Sequence, residues 1–159
     1  MITLTEITVI HTPIDRCFDL SRSIDLHKAS TARTGELAVA GVTSGLIGME
    51  EEVTWRARHL GVWQEMTSRI TAFDPPAYFR DTMVRGPFSS FQHDHVFSGK
   101  DGSTEMKDVL RFRAPLAFLG RLAEILLKPY LRQFLQERNA LLKQVAEGDE
   151  WPRFLNAER

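Results

Sequence analysis

Between Ala32 and Ala114 the chain is a succession of strand-like runs broken by Gly, Pro and Asp, and from Pro115 to Glu147 it changes to one helical period. The period is carried by Leu116, Leu119, Leu122, Ala123, Leu126, Leu127, Tyr130, Leu131, Phe134, Leu135, Leu141, Leu142 and Val145, spaced by threes and fours. Consecutive hairpins followed by one long amphipathic helix restrict the choice of fold. The helix must cover one face of an antiparallel meander, which makes the chain α+β.

Upstream, Ile2 to Ile10 alternate and are rich in β-branched residues, so a first strand is expected there. Thr12 and Pro13 follow as an expected helix start, with Thr12 as the cap and Pro13 in the first turn. Ile14, Cys17 and Phe18 give this short helix an apolar face, and it should end near Ser23. A second short helix is expected from Ile24 to Ala29. Within the long helix, Pro129 should cause a kink near Ile125, and Gly148 should stop it.

Register decides which side chains share a face. A tight turn at Gly99-Lys100-Asp101-Gly102 pairs Phe97 with Thr104, His95 with Met106 and His93 with Asp108. Phe91, His93, His95 and Phe97 then share the covered face with Met106, Asp108, Leu110 and Phe112. Gln92, Asp94, Ser98, Glu105, Lys107, Arg111 and Arg113 fall on the other face. A turn at Leu60-Gly61 sets Arg56 against Glu65 and Glu52 against Arg69, and opposed charges support that pairing. It also places Trp55 opposite Met66 and Val53 opposite Ser68 on the interior side. The same parity brings Phe79, Asp81 and Met83 to the covered face, with Asp81 near His93.

Asp81, His93 and Asp108 therefore form a polar row on a face otherwise made of Phe, Met, Leu and Trp. A buried carboxylate without a partner costs several kcal/mol, whereas a histidine between two carboxylates is compensated. The row can brace the sheet as a buried ion pair, anchor the polar end of a ligand, or move a proton. For a ligand, the apolar body would rest on Trp55, Met66, Phe91, Met106, Leu110 and Phe112, with His95 beside the row.

The remaining features narrow the class. The chain has 159 residues, 43% hydrophobic and 26% charged, which suits one domain with a sizeable core. Its formal net charge is −1 and its basic residues are scattered, so a nucleic-acid partner is not expected. The opening MITLTEITVI is not a signal peptide and no stretch is apolar enough for stable membrane insertion, so a cytoplasmic location is expected. Cys17 is the sole cysteine and has no neighbouring activator, and no Gly-x-Ser-x-Gly elbow occurs. The glycine-rich run 41–48 lacks the Lys of a phosphate loop and reads as a flexible loop at a cavity mouth. His93 and His95 have a spacing that strand alternation alone produces, so no metal and no cofactor are assigned. The stretch Leu116-Ala117-Phe118-Leu119 and Trp151 supply more apolar residues than one helix stripe needs, which is compatible with a homodimer.

Several of these motifs carry a resemblance: the Thr-Pro-x-x-x-Cys-Phe helix, Gly86-Pro87-Phe88, His93-x-His95-x-Phe97, Thr104-x-Met106-x-Asp108 and the long final helix. The chain resembles the START-like, or SRPBCC, superfamily, and within it the bacterial ligand-binding branch often labelled "cell division inhibitor". The resemblance spans Ile2 to Glu147 and implies a domain over residues 1–148 with a tail over 149–159. It implies a helix-grip fold: a curved seven-stranded antiparallel sheet around a long C-terminal helix, with two short helices after the first strand. It carries over no catalytic residue.

The expected function is a binding or carrier protein for a hydrophobic small molecule such as a lipid, polyketide or isoprenoid-like compound, held between sheet and helix. The alternative is a polyketide cyclase or dehydratase using a His-Asp pair, with His93, Asp108 and Asp81 as its candidates.

Overall fold

The computed structural model describes residues 1–59, 61–115 and 119–155, with the backbone alone for 119–124. Strand β1 (Ile2–Ile10) leads into helices α1 (Ile14–Ser21) and α2 (Ile24–Ser30). The meander follows as β2 (Leu37–Gly41), β3 (Glu52–His59), β4 (Val62–Asp74), β5 (Tyr78–Arg85), β6 (Ser90–Lys100) and β7 (Ser103–Arg113). Helices α3 (Leu119–Glu147) and α4 (Pro152–Leu155) complete the chain. The seven strands form one antiparallel curved sheet in the order β1-β7-β6-β5-β4-β3-β2. Every neighbouring pair in that order except β1-β7 is a sequential hairpin, and the edge strand β1 closes back on the last strand.

The β3-β4 register is the expected one, with Arg56 opposite Glu65, Glu52 opposite Arg69, Trp55 opposite Met66 and Val53 opposite Ser68. Arg56 Nε and Arg69 Nε each donate to the facing glutamate at 2.8 Å. Leu60, half of the expected turn, lies outside the described residues, as do Leu116, Ala117 and Phe118 and the side chains of Leu119, Leu122 and Ala123.

The β6-β7 register differs from expectation by two residues. Phe97 faces Met106, His95 faces Asp108 and His93 faces Leu110. Asp101 and Gly102 both take positive φ, 51° and 76°, and close a two-residue turn between Lys100 and Ser103. A turn with both central residues in the left-handed region follows the sheet's own twist and lets pairing run to the hairpin tip. A shift of two preserves the side-chain parity, so the covered face has the expected composition.

Two local expectations are corrected. Thr12 does not cap α1: Pro13 occupies the cap position with no side-chain bond, and the buried Thr12 Oγ1 has no hydrogen-bond partner. The run 41–48 is tied down, not loose. Ile24 N–H donates to Gly45 O at 2.9 Å, Gly45 N–H to Asp25 Oδ2 at 2.8 Å, and Ile47 N–H to Arg22 O at 3.1 Å. Asp94 lies on the outer face as expected, and there Tyr78, Arg80 and Arg111 close over it and leave it 4% exposed.

The core sits between the sheet, α1, α2 and the C-terminal half of α3. The Phe18 ring meets Phe73, Phe79 and Phe97 edge-on at 5.4, 5.6 and 5.5 Å, and Leu142, Val145 and Ala146 of α3 belong to the same cluster. Residues 149–155 dock here too: Phe154 is buried, Ser23 Oγ donates to Phe154 O at 2.9 Å, and the Arg16 guanidinium lies 4.2 Å over the Trp151 ring. α3 runs continuously through Pro129. Ahead of the proline, Ile125 and Leu126 point to solvent, while Leu127 and Leu131 pack inward on Leu4, Leu110 and Phe112.

Candidate functional site

The inward parity of β3 to β7 and the inner stripe of α3 leave a cavity of ≈ 190 Å³ between them. Trp55, Met66, Phe91 and Leu110 line it from the sheet, and Leu127, Leu131, Phe134 and Leu135 from the helix. Ile47 adds a wall from the anchored glycine-rich run. Asp81, His93 and His95 also line the cavity. Met106, Asp108 and Phe112 do not: each is fully buried and stands behind the wall.

Asp108 is the hub of the polar cluster. His93 Nε2 lies 2.9 Å from its Oδ1, and His95 Nδ1 lies 2.9 Å from the same oxygen without aiming an N–H at it. The other carboxylate oxygen accepts from Asn139 Nδ2 at 2.7 Å. Arg138 Nη1 is 3.8 Å from Asp108 Oδ1, and its Nη2 donates to Ser21 O at 3.0 Å. On the cavity side, Asp81 Oδ2 is 3.3 Å from His95 Nε2 and 3.9 Å from His93 Nδ1. The expected neighbourhood of Asp81 and His93 is present as a directly opposed pair, and His93 reaches Asp108 diagonally across the strands.

Burial opposes every charge in this cluster, and pairing decides which charges survive. Asp108 resists burial through its contacts with His93 and His95 and is held well below the ordinary carboxylate range. Asp81 is likewise lowered, against its desolvation, by the His95 hydrogen bond and by both imidazoles. The two histidines part company. Desolvation and the charge of His95 lower His93, whereas His95 is raised because its contacts with Asp108 and Asp81 outweigh desolvation. His93 is thus the imidazole held toward its neutral form and His95 the one held toward its charged form, with the Arg138 guanidinium 3.8 Å from Asp108. The contact of His93 with Asp108 assigns the proton to Nε2, so the Nδ1 lone pair faces the cavity beside Asp81 Oδ2.

A second set of polar groups lines the β3 side of the cavity. His27 Nε2 meets the buried Glu36 at 3.0 Å, and His59 Nδ1 meets Tyr130 Oη at 2.8 Å. The Trp55 ring lies 4.3 Å from the His27 ring. Burial lowers His59 and raises Tyr130. Sequence reasoning missed this set, and it missed Arg138 and Asn139. The latter pair had a signal: Leu135, Arg138, Asn139 and Leu142 follow the three-and-four spacing, so two polar residues interrupt the buried stripe. Glu36 lies ahead of β2 and had no periodic signal.

The architecture and the placement of this cavity define the class: the chain has the START-like, or SRPBCC, helix-grip fold. Among solved structures it is similar to an aromatase/cyclase from a Streptomyces species, with TM-score 0.75, 12% identity, and 92% of this chain and 93% of that one covered. It is also similar to a protein from Thermus thermophilus, with TM-score 0.73, 15% identity and coverage of 90% and 95%. A START superfamily protein from Mycobacterium smegmatis superposes with TM-score 0.67, 9% identity and coverage of 90% and 98%. No family model matches the sequence, and no curated protein matches it. Among the described residues no helix is long and apolar enough to cross a membrane.

Proposed function

We propose that the protein binds a hydrophobic small molecule in the cavity between sheet and α3, as a carrier or binding protein. The observation that carries this reading is the pairing of an apolar chamber with one exposed pair of acceptors. His93 Nδ1 and Asp81 Oδ2 stand 3.9 Å apart with no donor between them, so a ligand hydroxyl or N–H placed there would find an acceptor in either one, and a ligand NH₂ in both. The ligand body would lie along Trp55, Met66, Phe91 and Leu110. Met106, Asp108 and Phe112 would act from behind, by fixing the wall. The fold relatives support this reading, since one is a START superfamily protein and another an aromatase/cyclase.

The test is a titration with the apolar fluorophore ANS and with polyketide-like and isoprenoid-like alcohols as competitors. Saturable binding displaced by the alcohols, and weakened about tenfold in His93→Phe, supports the reading; each anchored polar group is worth about 1.4 kcal/mol on that scale. Absence of saturable binding would overturn it.

One observation favours a second reading, proton transfer in a cyclase or dehydratase. A neutral imidazole whose Nε2–H is fixed by Asp108, itself held by Asn139, presents a basic Nδ1 to the cavity. Such a base would take a proton from a ligand carbon next to a carbonyl. Turnover of a polyketide-like substrate that survives His93→Ala unchanged would eliminate it.

A further inference from the structure

We propose that Asp81, His93 and His95 form a binding site for a divalent transition-metal ion of the zinc class, open to the cavity. Their ligand atoms lie within 4.8 Å of one another, on the adjacent strands β5 and β6. Ligands around 2.0–2.1 Å from a tetrahedral ion stand roughly 3.3 Å apart. Asp81 Oδ2 is already 3.3 Å from His95 Nε2 and 3.9 Å from His93 Nδ1, so the carboxylate stands near coordinating separation from both imidazoles, and side-chain rotation would close the remaining edge, which is within 4.8 Å.

The second observation lies behind these ligands. A metal-bound histidine usually donates its other ring N–H to a carboxylate or carbonyl, which fixes its tautomer. Here Asp108 Oδ1 is hydrogen-bonded at 2.9 Å to the far-side Nε2 of His93, and the far-side Nδ1 of His95 stands at the same distance from that oxygen without a hydrogen bond. Asn139 in turn orients that carboxylate. The near-side nitrogens thus face Asp81 with their lone pairs available, once the proton His95 shares with Asp81 is displaced by the ion. The ion would have three protein ligands and an open position toward the cavity, the donor arrangement of a reactive site rather than a structural one. An oxygen of a cavity ligand would take that position. The ion would add +2 beside two carboxylates, in place of one imidazolium proton.

Isothermal titration of the chelator-treated full chain with Zn²⁺, together with Co²⁺ absorption, tests the site without any organic ligand. One ion per chain is expected, with a Co²⁺ spectrum of low coordination number. Asp81→Asn and His93→Gln should each weaken binding at least tenfold, Asp108→Asn by 10- to 100-fold as a second-layer carboxylate does, and His11→Gln not at all. Unfolding midpoints of the variants separate loss of the site from loss of the fold, and a zinc-induced rise in midpoint should vanish in Asp81→Asn. No zinc binding by the folded chain, or binding that Asp81→Asn and His93→Gln leave unchanged, overturns the proposal. Because metal is read in the absence of a ligand, its failure leaves the apolar-ligand reading standing.

Discussion

Asn139 Nδ2 donates to Asp108 Oδ2 at 2.7 Å, so a residue of the long helix and a residue of the last strand share one buried hydrogen bond. Both are almost wholly shielded from water. The bond joins the roof of the cavity to its floor, and the imidazoles on the other oxygen of Asp108 inherit their orientation from it.

Asp108→Ala should therefore destabilise the fold by about 3–5 kcal/mol, since it leaves Arg138 and Asn139 buried without their carboxylate partner and His95 with Asp81 alone. Urea unfolding monitored by tryptophan fluorescence reads this directly. A loss below about 1 kcal/mol, the scale of a surface pair, would mean that the cluster is not braced through Asp108.

The two histidines should titrate on opposite sides of the ordinary imidazole value of about 6.5, His93 below it and His95 above. Ring-proton NMR on His93→Gln and His95→Gln assigns them. The linked stability follows by sign. His95 stabilises the fold below the ordinary value and loses that contribution as pH rises through its raised value. His93 and the lowered carboxylates Asp81 and Asp108 contribute above their ordinary values and lose it as pH falls through their lowered ones. The unfolding midpoint should fall steeply below about pH 4, and less steeply in Asp108→Asn.

Ala57→Phe should fill the cavity from β3, because Ala57 is buried and lines it beside Trp55 and His59. ANS affinity should drop at least tenfold while the unfolding midpoint stays within a few degrees, since the added ring enters space that is already there. A fall in midpoint with affinity unchanged would place the bound molecule elsewhere.

Phe154→Ala should cost about 3 kcal/mol, as the loss of a buried phenylalanine does. Phe154 packs in the main core cluster, and its carbonyl accepts from Ser23. Thermal unfolding measures the cost, and an unchanged midpoint would show that residues 149–155 contribute nothing to the fold.

Strand alternation made the fold and most of the cavity wall legible. Parity alone assigned His93, His95, Asp108 and Leu110 to one face, and a slip of two residues at the Asp101-Gly102 turn left that assignment intact while changing every facing pair. Depth was not legible. Met106 and Phe112 share the face with Phe91 and Leu110, yet they lie under α3 and α1 where the cavity does not reach. In the cluster around Asp94, Arg80 is the directly facing residue of β5, but the diagonal contact from Tyr78 and the depth of burial depend on side-chain reach, which alternation does not give. Glu36 owes its place to the loop before β2, a segment with no period to read.

Native mass spectrometry of freshly purified protein, before and after organic extraction, reads whether the cavity between sheet and α3 carries a ligand. A non-covalent adduct of an apolar small molecule is expected, one that extraction removes, that ANS-competing alcohols displace, and that Ala57→Phe fails to retain. Protein that is consistently free of adduct, and that acquires none when offered those alcohols in excess, would contradict a carrier or binding role.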